Sequence, residues 1–215
     1  MKIKTPFFVI EIEWLFFIVF LVSLMSKKVL KILSSFYVCY LFIVFHELSH
    51  IFVAAIFGKD IEKFKFTLSG VCIEFKRNYE DSMKIKKSII LKNIIIYLAG
   101  PVSNLILAFL FKKNDMIFQI NIFFALINVI PIYPLDGYNI LNNIFDFFRL
   151  NRKLKEIILN FSSYFFMSFI CIIGIFQFFI SKNPAVIIFS LYLFLLKKQS
   201  EKKLKIDKIN YNFTC

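Results

Sequence analysis

The sequence predicts an all-α polytopic membrane protein of about six transmembrane helices, with a small β-hairpin at the cytoplasmic membrane interface. Three observations predict it. Hydrophobic residues make up 59% of the 215 positions, with 31 Phe, and the mean hydropathy is +0.73. Apolar stretches recur at close to bilayer length, and the basic residues between them are almost all lysine. A soluble domain of this length cannot bury so many large apolar side chains, which excludes an ordinary water-soluble globule. The same composition excludes disorder, and five Gly with five Pro exclude a linker-like or collagen-like chain.

The apolar stretches run over residues 7–25, 34–57, 89–111, 116–134, 157–180 and 184–196. The first follows Lys2 and Lys4 as a signal peptide would, but Glu11 and Glu13 interrupt it and no small-residue cleavage site follows. It is expected to remain as a first span. The last is short against the ~20 apolar residues that a crossing helix needs. Between the second and third stretches, Phe64, Phe66 and Leu68 alternate with Lys65 and Thr67. After Ser69-Gly70, Val71, Ile73 and Phe75 alternate with Cys72 and Glu74. Period two around a glycine turn predicts a β-hairpin over residues 62–76, with an interfacial loop as the alternative. After the fourth stretch, Ile140, Leu141, Ile144, Phe145 and Phe148 fall at helical spacing beside Asn139, Asn142, Asn143 and Asp146. That pattern predicts a helix lying on the cytoplasmic surface.

A formal charge of +13 would suggest nucleic acid as the partner of a soluble chain. Here the basic residues sort by side of a membrane instead. Six spans put both termini on one side, and that side takes all of the Lys and Arg except Lys27, Lys28, Lys31, Lys112, Lys113 and Lys182. The positive-inside rule then places the N and C termini of a multi-pass cell-membrane protein in the cytoplasm, with the lipid bilayer and not nucleic acid as its surroundings. Residues 1–196 read as a single membrane domain with its core at 34–150. Residues 197–215 read as a basic, solvated cytoplasmic tail. Cys39, Cys72, Cys171 and Cys215 form no CxxC pair and imply no disulfide framework.

Both histidines of the chain stand in one pentapeptide, His46-Glu47-Leu48-Ser49-His50, inside an apolar helix. Positions i and i+4 project from one face a turn apart, so two imidazoles can bind one metal with Glu47 beside them. Two imidazoles and a carboxylate in hydrocarbon are costly unless they bind something or pair together. A polar cluster joining helices is the plainer alternative. A catalytic zinc takes three protein ligands and keeps one position open. With no third histidine, the remaining ligand must be a carboxylate or an unpaired cysteine. Asp136 is the acidic residue other than Glu47 that adjoins the apolar core of a later span. It follows Pro131 and Pro134, which break a helix, and unwound backbone at membrane depth is tolerated where it lines a protein cavity. In the six-span arrangement His46, His50 and Asp136 all lie toward the cytoplasmic ends of their helices. Asp136 could also be a plain turn former in Pro134-Leu135-Asp136-Gly137.

The HELSH run, with Asn128-Val129-Ile130-Pro131-Ile132-Tyr133-Pro134-Leu135-Asp136-Gly137 downstream and Ala99-Gly100-Pro101-Val102-Ser103-Asn104 between, resembles the site-2 protease family of intramembrane metalloproteases. The likeness covers residues 34–150 and is strongest toward the stage IV sporulation protein FB branch, which cleaves a sigma-factor precursor. The resemblance implies a zinc metalloendopeptidase holding one Zn²⁺ per chain through His46, His50 and Asp136, with Glu47 as acid/base. It implies that Asn128 contacts the substrate or the developing oxyanion, and Asn104 is a candidate for a substrate-facing role. For Asn104 a cross-helix hydrogen bond is the alternative. It further implies a membrane-tethered protein substrate, cleaved near the cytoplasmic face, and membrane inhibitors or regulatory proteins as partners. Tyr138 stands where the family commonly has a second glycine, and no PDZ or CBS domain is expected. The rival from another class is a metal or solute transporter that uses the same His/Asp cluster to bind a transported ion.

Overall fold

The structure, a computed structural model, describes residues 2–4, 9–12, 27–59, 61–67, 70–75 and 87–212, with side chains over 36–59 and 87–202. The described elements are β1 (Lys2–Lys4), β2 (Val9–Ile12), α1 (Lys27–Ile56), β3 (Ile61–Thr67), β4 (Gly70–Phe75), α2 (Lys87–Leu110), α3 (Asp115–Val129), α4 (Asp136–Phe147), α5 (Arg152–Ser181) and α6 (Ala185–Asn212). The chain divides into two compact units, Met1–Ile127 and Asn128–Cys215.

In the first unit the strands form a four-stranded sheet in the order β1-β2-β3-β4. β3 and β4 pair antiparallel, with Phe64 opposite Ile73 and Phe66 opposite Val71. The turn residues 68 and 69 lie outside the described residues. β2 joins β3 in parallel, Ile10 opposite Phe64, and β1 returns antiparallel to β2. The expected first span over 7–25 is therefore corrected at its start, because Val9–Ile12 is a strand; residues 13–25 lie outside the described residues. The physical reason is visible in Ile10-Glu11-Ile12-Glu13. A carboxylate at every second position suits a strand with one polar face and penalises a helix in hydrocarbon.

α1 and α2 pack on each other through matching stripes. Phe42, His46, His50 and Ala54 are buried on α1, and Ile96, Gly100, Asn104 and Ala108 on α2. Each set repeats every four residues, which is one ridge of a helix surface. Away from this contact α1 exposes Leu41, Phe45, Leu48, Phe52 and Ile56. Such a stripe is unfavourable in water and natural against lipid.

In the second unit, residues 130–135 are not helical. Pro131 and Pro134 remove two amide donors and end the helix. What replaces the ladder is local: Ile132 N–H donates to the Ile130 carbonyl at 2.8 Å and Leu135 N–H to the Ile132 carbonyl at 2.7 Å. Ser163 Oγ of α5 donates to the Pro131 carbonyl at 3.3 Å. Gly137 then lies so close to the end of α3 that a Cβ would overlap the carbonyls of Val129 and Ile130. α5 begins at Asn151, whose side chain accepts from Lys153 N–H at 3.0 Å as an N-cap. It buries Leu159, Ser163, Met167, Ile170 and Gly174. A side chain at Gly174 would press on the Ile187 amide at 2.9 Å, so α6 starts in close contact with α5.

Among the described residues three helices are long and apolar enough to cross a bilayer, namely Phe36–Ile56, Lys87–Leu110 and Arg152–Ser181. The expected count was six. α3 has 15 residues and at ~1.5 Å per residue falls short of a hydrocarbon core of ~30 Å. α6 is apolar only as far as Leu196. The expectation of a solvated tail from Lys197 also needs correcting at its first residue. α6 continues through it, and Lys197 shares a buried stripe with Ser190 and Leu193.

Candidate metal centre

His46 and His50 are 4% and 5% exposed, and their rings meet edge to face with centroids 4.8 Å apart. The helix that carries them is held against α2, and α2 decides which nitrogen of each ring is available. His50 Nδ1 lies 2.6 Å from the Ile96 carbonyl oxygen. A carbonyl can only accept, so Nδ1 carries the proton and Nε2 presents the lone pair. His46 Nδ1 lies 3.1 Å from Asn104 Oδ1, which is likewise an acceptor. Because His46 meets residue 104 and His50 meets residue 96, the two helices run antiparallel at this level. An imidazole whose Nδ1–H is tied to an oxygen is in the tautomer and orientation of an Nε2 metal ligand.

Both Nε2 atoms point to one place. A Cβ built on Gly100 would overlap His50 Nε2 and His46 Nε2. Residue 100 therefore has no side chain because the space beside it is taken by two imidazole edges. Ile96, Gly100 and Asn104 are thus one i, i+4, i+8 row of α2, supplying an acceptor, a clearance and a second acceptor. This pair of buried imidazoles, both turned by Nδ1 contacts so that Nε2 faces the same clearance, fits a zinc ion, which takes nitrogen ligands of this kind.

Glu47 follows His46 and is half-buried on the flank of that face. Asn104 is fully buried. Its Nδ2 makes no hydrogen bond among the described residues, at ~1–3 kcal/mol for a buried unsatisfied donor. Turning the amide to relieve that donor would present an N–H to His46 Nδ1. The chain keeps the acceptor there instead. The second unit carries the other expected site residues. Asn128 is half-buried at the end of α3. Asp136 is the first residue of α4 and is half-buried. Sequence inspection did not find the parts played by Ile96 and Gly100. Their signal was the four-residue spacing to Asn104.

A model of peptidase family M50 matches residues 35–112, the stretch with both histidines, β3, β4 and the Ile96-Gly100-Asn104 row. YwhC of Bacillus subtilis (strain 168), provisionally named a zinc metalloprotease, is 28% identical over a 167-residue alignment taking in 60% of this chain and 73% of the relative. The comparisons support peptidase family M50. Among solved structures, the site-2 protease from Methanocaldococcus jannaschii shares the fold, with a TM-score of 0.57 at 20% identity over 93% of this chain and 94% of that one. The matched M50 segment ends at residue 112, so Asn128 and Asp136 lie downstream of it.

Proposed function

We propose that the chain is an intramembrane zinc peptidase that hydrolyses a peptide bond of a membrane-tethered protein near the cytoplasmic face. The observation that carries this reading is the convergence of His46 Nε2 and His50 Nε2 beside Gly100, with both Nδ1 atoms tied to acceptors on α2. The third ligand is Asp136. The likeness to site-2 proteases supports this assignment, since Asp136 stands in the Pro134-Leu135-Asp136-Gly137 run after the helix-breaking prolines, at the first position of α4. Zinc bound there would lower the pKa of a water to ~7 and polarise a carbonyl.

The chain's own residues do the rest. Asn104 holds the His46 ring. Glu47 accepts the proton of the attacking water and returns it to the departing amide nitrogen. Asn128 contacts the substrate or the oxygen on which charge develops. A substrate helix must unwind to expose its peptide bond, and a strand edge can take over its backbone hydrogen bonds. β4, at the end of the described sheet order and packed against α1, is suited to that task. The lysine distribution supports cytoplasmic termini. The resemblance to M50 peptidases favours hydrolysis over the transporter, and the sporulation branch makes a tethered sigma-factor precursor the first substrate to try.

Co-expression with membrane-tethered precursors tests the proposal. Wild type should yield a shortened product, and Glu47→Gln should yield none while retaining zinc. Equal cleavage by Glu47→Gln would overturn the role of Glu47, and a purified, active, metal-free chain would overturn the proposal.

A further inference from the structure

Lys197 is a buried cation that the proposed chemistry does not use. It is 4% exposed, and its Nζ donates to Asn160 Oδ1 of α5 at 2.7 Å. Glu201, one turn further along α6, is 3.7 Å away and accepts from the Tyr164 hydroxyl at 3.0 Å. The other two neighbours are aromatic faces. Lys197 Nζ sits 5.2 Å from the ring centre of Tyr138 and 5.8 Å from that of Tyr133. Those rings also meet edge to face, 5.6 Å between centroids. In sequence they bracket Asp136, three residues before it and two after.

An ammonium at the start of a lysine-rich segment would ordinarily reach for water. Here it turns inward, and the contacts that offset its desolvation come from α5, from α6 and from both ends of the Tyr133-to-Tyr138 segment. That segment has little regular backbone bonding, because Pro134 interrupts it and its hydrogen bonds are single turns. It cannot open without separating the charge from two of its partners.

We infer that Lys197 is a positioning residue that pins the Tyr133-to-Tyr138 segment through both tyrosine faces and so fixes where Asp136 presents its carboxylate. This rests on the proposal that Asp136 is a zinc ligand. Outer contacts of this kind change metal affinity by ~10- to 100-fold.

The test uses full-length protein purified in detergent, with zinc affinity by chelator competition and the visible spectrum of the cobalt-substituted form. Lys197→Met should weaken zinc by ~10- to 100-fold and shift the cobalt bands. Tyr138→Phe, which keeps the aromatic face, should bind as wild type, and Tyr138→Leu should resemble Lys197→Met. If Asp136→Asn leaves zinc affinity unchanged, the ligand assignment fails and this inference with it. If Asp136→Asn weakens zinc but Lys197→Met does not, the inference alone is overturned. Should Lys197→Met not fold, Tyr138→Leu against Tyr138→Phe decides, and equal zinc affinity in that pair overturns it.

Discussion

His46 and His50 could each offer either ring nitrogen to a metal, and neighbouring atoms of α2 leave one choice. The Ile96 carbonyl and Asn104 Oδ1 both accept from Nδ1, and Gly100 leaves the clearance that Nε2 faces. Gly100→Ala should therefore abolish zinc binding, since the added methyl occupies that clearance. Metal content measured beside a circular dichroism spectrum checks this, with helix signal retained and zinc lost; zinc retained at wild-type level contradicts it. Asn104 gives a graded test. Asn104→Leu removes the acceptor and should weaken zinc ~10- to 100-fold, whereas Asn104→Asp keeps an oxygen opposite His46 Nδ1 and should bind zinc at least as well as wild type. Chelator competition on the two variants reads the difference. Equal affinities would mean that the amide has no part in orienting the ring.

Elements set which of these contacts were legible in the sequence. The i, i+4 histidines were, because helix geometry alone puts them on one face. The unwound stretch before Asp136 was, because Pro131 and Pro134 cannot continue a helix. Alternation over Phe64 to Phe75 matches the strands found at Ile61–Thr67 and Gly70–Phe75. The parallel pairing of β2 on β3 was not legible, since it joins residues some fifty positions apart and periodicity is local. Nor was the burial of Lys197, which depends on Asn160, Tyr133 and Tyr138 and runs against the ordinary habit of lysine. The role proposed for β4 belongs at this scale. A proline placed in turn at each position from Val71 to Glu74 removes one backbone donor at a time. Cleavage should fall at alternate positions, those whose donors face outward, with zinc content unchanged. Uniform activity across the scan would rule out strand addition at this edge.

At the scale of the molecule, many large apolar side chains among the described residues are exposed, including Phe161, Phe165, Phe169, Phe176 and Phe179 along α5. A bilayer satisfies them, so the polar interior around His46, His50 and Asn104 is small and its ligand matters for stability. A ligand present at a thousand times its dissociation constant adds ~4 kcal/mol to folding. Chelation should accordingly lower the unfolding temperature in detergent and stop cleavage together, and zinc should restore both. Zinc K-edge X-ray absorption of the purified chain addresses the metal centre itself. The account predicts nitrogen and oxygen neighbours at ~2.0–2.1 Å, with outer imidazole scattering that halves in His50→Ala. Sulfur neighbours at ~2.3 Å, or imidazole scattering unchanged in His50→Ala, would contradict it.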